Sequence, residues 1–239
     1  MRAVVLSLAL VFCLAARAEA GACPAPSQRL AVSVAPLLPS VPETHSASYR
    51  ELSTMLTRAL KPNQDVLGLS SARFGEKYGL ETRMVKRGSR NCYYLAALRV
   101  EFGYTERLVQ IAREVPEGSC MFKEIRGHEY RHVAVDDAVV RDNLAYVAAE
   151  LQRFADGLGA IEAANDHDAE GIIGNALDKA MKPVVAHASK LEDAAQDKVD
   201  TDAEYARVED ACRAHIDPSK LAATPPMERH EPDLAPGGK

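Results

Sequence analysis

Three residues in the run His128-Glu129-Tyr130-Arg131-His132 are the ones in this chain best placed to do chemistry. On an α-helix, residues four apart share a face and lie about 6 Å apart along the axis. Two imidazoles so placed reach one tetrahedral metal ion from consecutive turns of a single rigid element. Glu129 follows the first imidazole, where its carboxylate can take a proton from a water that the metal activates. The run therefore predicts zinc held by His128 and His132, with Glu129 as general base.

Catalytic zinc takes three protein ligands, so a third must come from elsewhere. The pattern with a Gly three residues and a His six residues past the second imidazole is excluded, because those positions hold Val135 and Ala138. Glu150 stands eighteen residues past His132. On one straight helix it would be about 27 Å away, which argues against it. Asp136 and Asp137 are better suited to orienting an imidazole than to binding the ion. His167, His187, His215, Glu204 and Tyr205 in the distal region are the other candidates, and spacing does not choose among them.

The motif needs a helix to carry it and a partner layer to bury it. A helix is predicted from Cys120 to about Phe154, with Ser119 as N-cap. Its apolar stripe runs through Ile125, Val139, Val140, Val147 and Leu151, and His128, His132 and Asp136 interrupt it where core residues are expected. Buried polar groups cost several kcal/mol unless something satisfies them, and a metal would. Ahead of the helix, residues 94–102 alternate as a half-buried strand; Gly103-Tyr104-Thr105 reads as a turn and 108–114 as the returning strand. Earlier, 46–60 reads as a helix stopped by Pro62, and 70–78 as a helix or loop. Past Gly157 and Gly159 a helical region is expected over 169–214, with a kink at Pro183. The expected fold class is α+β: a long metal-binding helix packed on a small antiparallel sheet, with a C-terminal helical extension.

The first twenty residues read as a secretory signal, with Arg2, an apolar run and Ala18-Glu19-Ala20 as cleavage site. The expected organisation is a signal peptide over 1–20, a core over 21–156, a helical extension over 157–216 and a disordered tail over 217–239. Removal of the signal leaves Cys23, Cys92, Cys120 and Cys212. An even count in an exported chain favours two disulfides among three possible connectivities. Cys92 heads a strand and Cys120 heads the motif helix, which favours Cys92 with Cys120 and Cys23 with Cys212. No later segment is long and apolar enough for stable membrane insertion. The net charge of −5 gives no footprint for nucleic acid. Nothing in the pattern specifies an oligomeric state.

The stretch 92–137 resembles a family of secreted bacterial zinc-dependent proteases of the zincin type. The resemblance rests on Cys92 at the head of a strand, Gly118-Ser119-Cys120, the His128–His132 run and Asp137. It extends loosely to Asp202-Ala203-Glu204-Tyr205. It implies His128 and His132 as zinc ligands, Glu129 as general base, and an edge strand holding an extended peptide. Some relatives carry a Thr-His-Gly near the end of the distal helices; this chain has none, which leaves the third ligand open. The expected function is an exported zinc metallopeptidase acting on a peptide or protein, in the periplasm or outside the cell. The alternative is a non-enzymatic envelope binding protein built on helices, with a structural or vestigial metal site.

Overall fold

The computed structural model describes residues 23–25, 30–56 and 65–213. Their elements run β1 (Ala31–Leu37), β2 (Glu43–Thr44), α1 (Tyr49–Met55), β3 (Gly68–Arg87), β4 (Arg90–Ile111), α2 (Cys120–Leu158), β5 (Ile161–Glu162), α3 (Asp166–Gln196) and α4 (Asp202–Arg213). The expected signal peptide, the tail beyond 217 and the end of the 46–60 helix lie outside the described residues. The described residues form two compact units. One holds 78–100, 145–184 and the part before residue 36; the other holds 36–77, 101–144 and the part from 185 onward.

The α+β class stands, but the expected small antiparallel sheet does not. The sheet has five strands, and its path β1-β4-β2 is parallel, with Glu43 opposite Val109 and Thr44 opposite Gln110. The expectation failed at Gly103. The chain does not turn there: β4 runs straight through to Ile111. A side chain at Gly103 would place its Cβ 2.3 Å from the Leu37 carbonyl oxygen, and the residue adopts φ 154°. Glycine is there for close backbone approach by β1, not for reversal. The tight turn lies at Gly88-Ser89, with Gly88 at φ 60°, between β3 and β4, which pair with one another.

Residues 70–78, expected as helix or loop, belong to β3, a 20-residue strand. No residue of that strand is fully buried, so it carries no alternating apolar pattern to announce it. The helix expected over 46–60 is shorter, Tyr49–Met55. Ser48 caps it through a capping box with Glu51, and Leu56 is already extended. α2 matches its expected start and runs to Leu158, and Ser119 Oγ accepts from Phe122 N at 3.1 Å. The single helical region expected over 169–214 is two helices, α3 and α4, separated by 197–201.

In the first unit the core is apolar, built on Tyr94, Leu98, Val147, Leu151, Ile173 and Leu177. β5 pairs antiparallel with β4 at Cys92–Glu162, and Tyr94 Oη donates to Pro24 O at 2.9 Å. In the second unit Leu52, Val66, Ile111, Ala112, Val115 and Ile125 form one cluster, on which Phe122 of α2 and Val208 of α4 pack.

The disulfides are Cys23–Cys92 and Cys120–Cys212, which corrects the expected pairing. Cys92 and Cys120 fall in different units, and each finds its partner within its own. Two such bonds suggest an oxidising compartment. Among the described residues no helix is long and apolar enough to cross a membrane.

Candidate metal centre

α2 brings His128 and His132 to one side, one turn apart, as the spacing predicts. Their Nε2 atoms lie 3.1 Å from each other, with the rings edge to face. The third corner is Asp200, from the short segment between α3 and α4. Its Oδ1 is 3.2 Å from each Nε2. Donor atoms about 2.0–2.2 Å from a tetrahedral ion are about 3.3 Å apart, so this near-equilateral triangle fits a metal ion with a further position left open. The group His128, His132 and Asp200 could therefore hold a metal ion.

Asp200 was missed from sequence. No Gly or Pro marks the break between α3 and α4, and the residue is far from the motif along the chain. One signal was present: Thr201-Asp202-Ala203-Glu204 is a capping pattern, and Thr201 Oγ1 accepts from Glu204 N at 3.1 Å. A helix start at 202 implies a linker just before it, which is where Asp200 lies.

Each imidazole has an outer partner. His132 Nδ1 lies 2.5 Å from Gln196 Oε1. Gln196 Nε2 donates to Asp136 Oδ1 at 2.6 Å and to the His132 carbonyl at 3.2 Å. His128 Nδ1 lies 3.3 Å from Arg131 Nη2 and 3.6 Å from Glu204 Oε1, and Glu204 also pairs with Arg131 and Arg207. Tyr205 Oη donates to Asp200 Oδ1 at 2.8 Å.

Glu129 is 5 % exposed. Its carboxylate lies against β3: a Cβ on Gly68 would sit 2.4 Å from Glu129 Oε1, so glycine at that position makes room for it. Burial pushes the Glu129 carboxyl up, while His132, His128 and the Ser70 N–H pull the other way. Burial also raises Asp200, but hydrogen bonds with His128, His132 and Tyr205 outweigh it and hold the carboxyl well below the usual range. His132 is raised: burial lowers it, and bonds to Asp200 and Gln196 with the Glu129 charge more than offset that. An ionised Asp200 is the form a cation requires.

The remaining candidates divide cleanly. Glu204 and Tyr205 join the site as outer partners. Asp136 reaches His132 through Gln196, whereas Asp137 pairs with Arg107 at 2.8 Å and Arg141 at 3.1 Å and touches no imidazole. Glu150 pairs with Arg153 on α2. His167 and His187 are exposed on α3, and His215 lies outside the described residues. No family model, no curated protein and no solved structure matches this chain.

Proposed function

We propose that this chain is an exported zinc metallopeptidase of the secreted zincin-type family that 92–137 resembles. The observation that carries the reading is the donor triangle of His128, His132 and Asp200 with a buried carboxyl, Glu129, on the same helix. Two imidazoles and one carboxylate form a familiar catalytic zinc set; the same donors also suit ferrous iron, and the adjacent Glu129 favours hydrolysis. When bound, zinc supplies Lewis-acid polarisation and lowers the pKa of water. Glu129 takes the proton of the attacking water and delivers it to the leaving amine. Its buried surroundings raise its affinity for that proton. Asp200 contributes the negative charge that balances the ion, and Glu204 and Gln196 orient the two imidazoles.

The test is metal content of the mature protein, purified without a histidine tag, with turnover on a mixture of peptides. About one zinc per chain, lost in His132→Ala and in Asp200→Asn, supports the site. Glu129→Gln is expected to retain the metal and to lose turnover by a factor of about a hundred or more. Absence of metal after zinc reconstitution would overturn the reading, and retained turnover in Glu129→Gln would remove that residue from the mechanism. Export is checked separately: N-terminal sequencing of the exported protein is expected to begin near Gly21.

A further inference from the structure

We propose that Gln196, the last residue of α3, is the positioning residue that sets the tautomer of His132 and thereby the metal affinity of the centre. The inference rests on the metal-binding reading of His128, His132 and Asp200.

The orientation of the Gln196 amide follows from its neighbours. One end lies 3.2 Å from the backbone carbonyl oxygen of His132, which accepts only. That end must be the NH2 group, and its second contact, Asp136 Oδ1 at 2.6 Å, takes the other proton. The carbonyl end then faces His132 Nδ1 at 2.5 Å. A carbonyl oxygen offers only lone pairs, so Nδ1 must carry the hydrogen. The imidazole therefore keeps the Nδ1 hydrogen when it is neutral, and Nε2, which hydrogen-bonds Asp200 while the ring is protonated, is the nitrogen that gives up its proton and frees a lone pair. A metal needs that lone pair.

The amide is itself held. Asp136 is 2 % exposed and hydrogen-bonds Glu192 as well, and Glu192 Oε1 accepts from Tyr104 Oη at 3.1 Å. A chain of buried and half-buried polar groups thus runs from β4 through α3 and α2 to the imidazole. His128 has no such backing: its Nδ1 lies 3.3 Å from Arg131 Nη2, and Glu204, 3.6 Å away, is shared with Arg131 and with the exposed Arg207. The two ligands are therefore unequal, and His132 is the one whose geometry the protein fixes.

Outer partners of metal-binding imidazoles change metal affinity by roughly 10–100-fold when removed. Gln196→Ala is accordingly expected to weaken zinc binding about 10–100-fold, read by competition with a chromophoric chelator, while the far-ultraviolet circular dichroism of the metal-free protein is unchanged. Gln196→Glu, which keeps an acceptor for Nδ1–H but loses the donor to Asp136, is expected to fall between the two and covers the case in which the alanine variant does not fold. The second readout needs no metal: long-range 1H–15N spectra of the metal-free protein, taken well above the imidazole titration range, are expected to show His132 as the Nδ1–H tautomer and to lose that preference in Gln196→Ala. A merely structural role for Gln196 would not move that signature. Zinc affinity within about twofold of wild type in both variants, or a wild-type His132 carrying its hydrogen on Nε2, would overturn the proposal. A wild-type protein that shows the Nδ1–H tautomer yet binds no metal would remove the peptidase reading and leave the tautomer assignment standing.

Discussion

The two units use the same long elements for opposite ends. In the first, β4, α2 and α3 contribute an apolar interior: Leu98, Val147, Leu151, Ile173 and Leu177 are buried. The second holds all six buried polar or charged residues found among the described residues: Arg107 on β4, His128, Glu129, Asp136 and Asn143 on α2, and Ser48, the cap of α1. α2 alone shows the contrast, with His128, Glu129 and Asp136 in its first half and Val147 and Leu151 in its second. Apolar burial stabilises without direction, whereas buried polar groups stabilise only when each finds its partner. Stability in the first unit is therefore tied to packing, and in the second to packing of its own apolar cluster together with a hydrogen-bonded network that has to be assembled in one arrangement.

The disulfides offer the strongest way to separate the two. Cys23–Cys92 closes the first unit over a separation of 69 residues and Cys120–Cys212 the second over 92. By loop-closure entropy each contributes about 4 kcal/mol, with little difference between them. Their effects on the site should differ. Cys120–Cys212 ties the start of α2 to α4, whose Glu204 and Tyr205 support His128 and Asp200. Replacing Cys120 and Cys212 together by Ser is expected to lower stability by about 4 kcal/mol and weaken zinc binding at least tenfold. The matching Cys23 and Cys92 variant should lose similar stability and keep its zinc affinity. Urea unfolding and zinc competition on both proteins check this, and equal losses of zinc affinity would abolish the distinction.

How much of this was legible in the sequence follows from where the interactions are local. His128, Glu129 and His132 share one helix, so spacing alone places them, and the start of α2 at Cys120 is marked by its cap. Leu177, Met181 and Val184 recur on one face of α3 and are buried as that recurrence implies. Asp200 and Gln196 were not legible, because they meet the imidazoles only through the tertiary fold, beyond a second long helix. β3 was hidden for a different reason: with both faces partly in water it has no period to detect. The disulfide pairing was misjudged because adjacency to a strand head and a helix head says nothing about which unit each cysteine joins.

A packing defect should break the first unit alone. Leu151 is 1 % exposed. Truncation of a fully buried leucine leaves a cavity and costs about 3 kcal/mol. Leu151→Ala is therefore expected to lower the unfolding free energy by that amount with zinc affinity unchanged. A fall in zinc affinity beyond about threefold would show that the network in the second unit depends on packing in the first.

The smallest effect probes the network itself, through pH. Burial beside Asp136 pushes the Glu192 carboxyl up, from 4.5 to about 7. The unfolded chain gives up this proton near 4.5, while the folded protein keeps it until about 7. Across that window folding requires proton uptake, so this group lowers stability progressively as pH rises, and the loss is complete above about 7. The shift would correspond to about 3 kcal/mol in a fully buried site, and partial solvent screening reduces it to about 1–2 kcal/mol. Glu192→Gln keeps a hydrogen-bonding side chain and cannot ionise. Raised His132 contributes a loss over rising pH as well, but it is common to both proteins and cancels in their difference. The variant should therefore gain about 1–2 kcal/mol on metal-free wild type between about pH 5 and about pH 8, measured by urea unfolding. A difference that does not change with pH would mean that Glu192 is ionised in the folded protein throughout, and that Asp136 and Glu192 do not share a proton behind the imidazole.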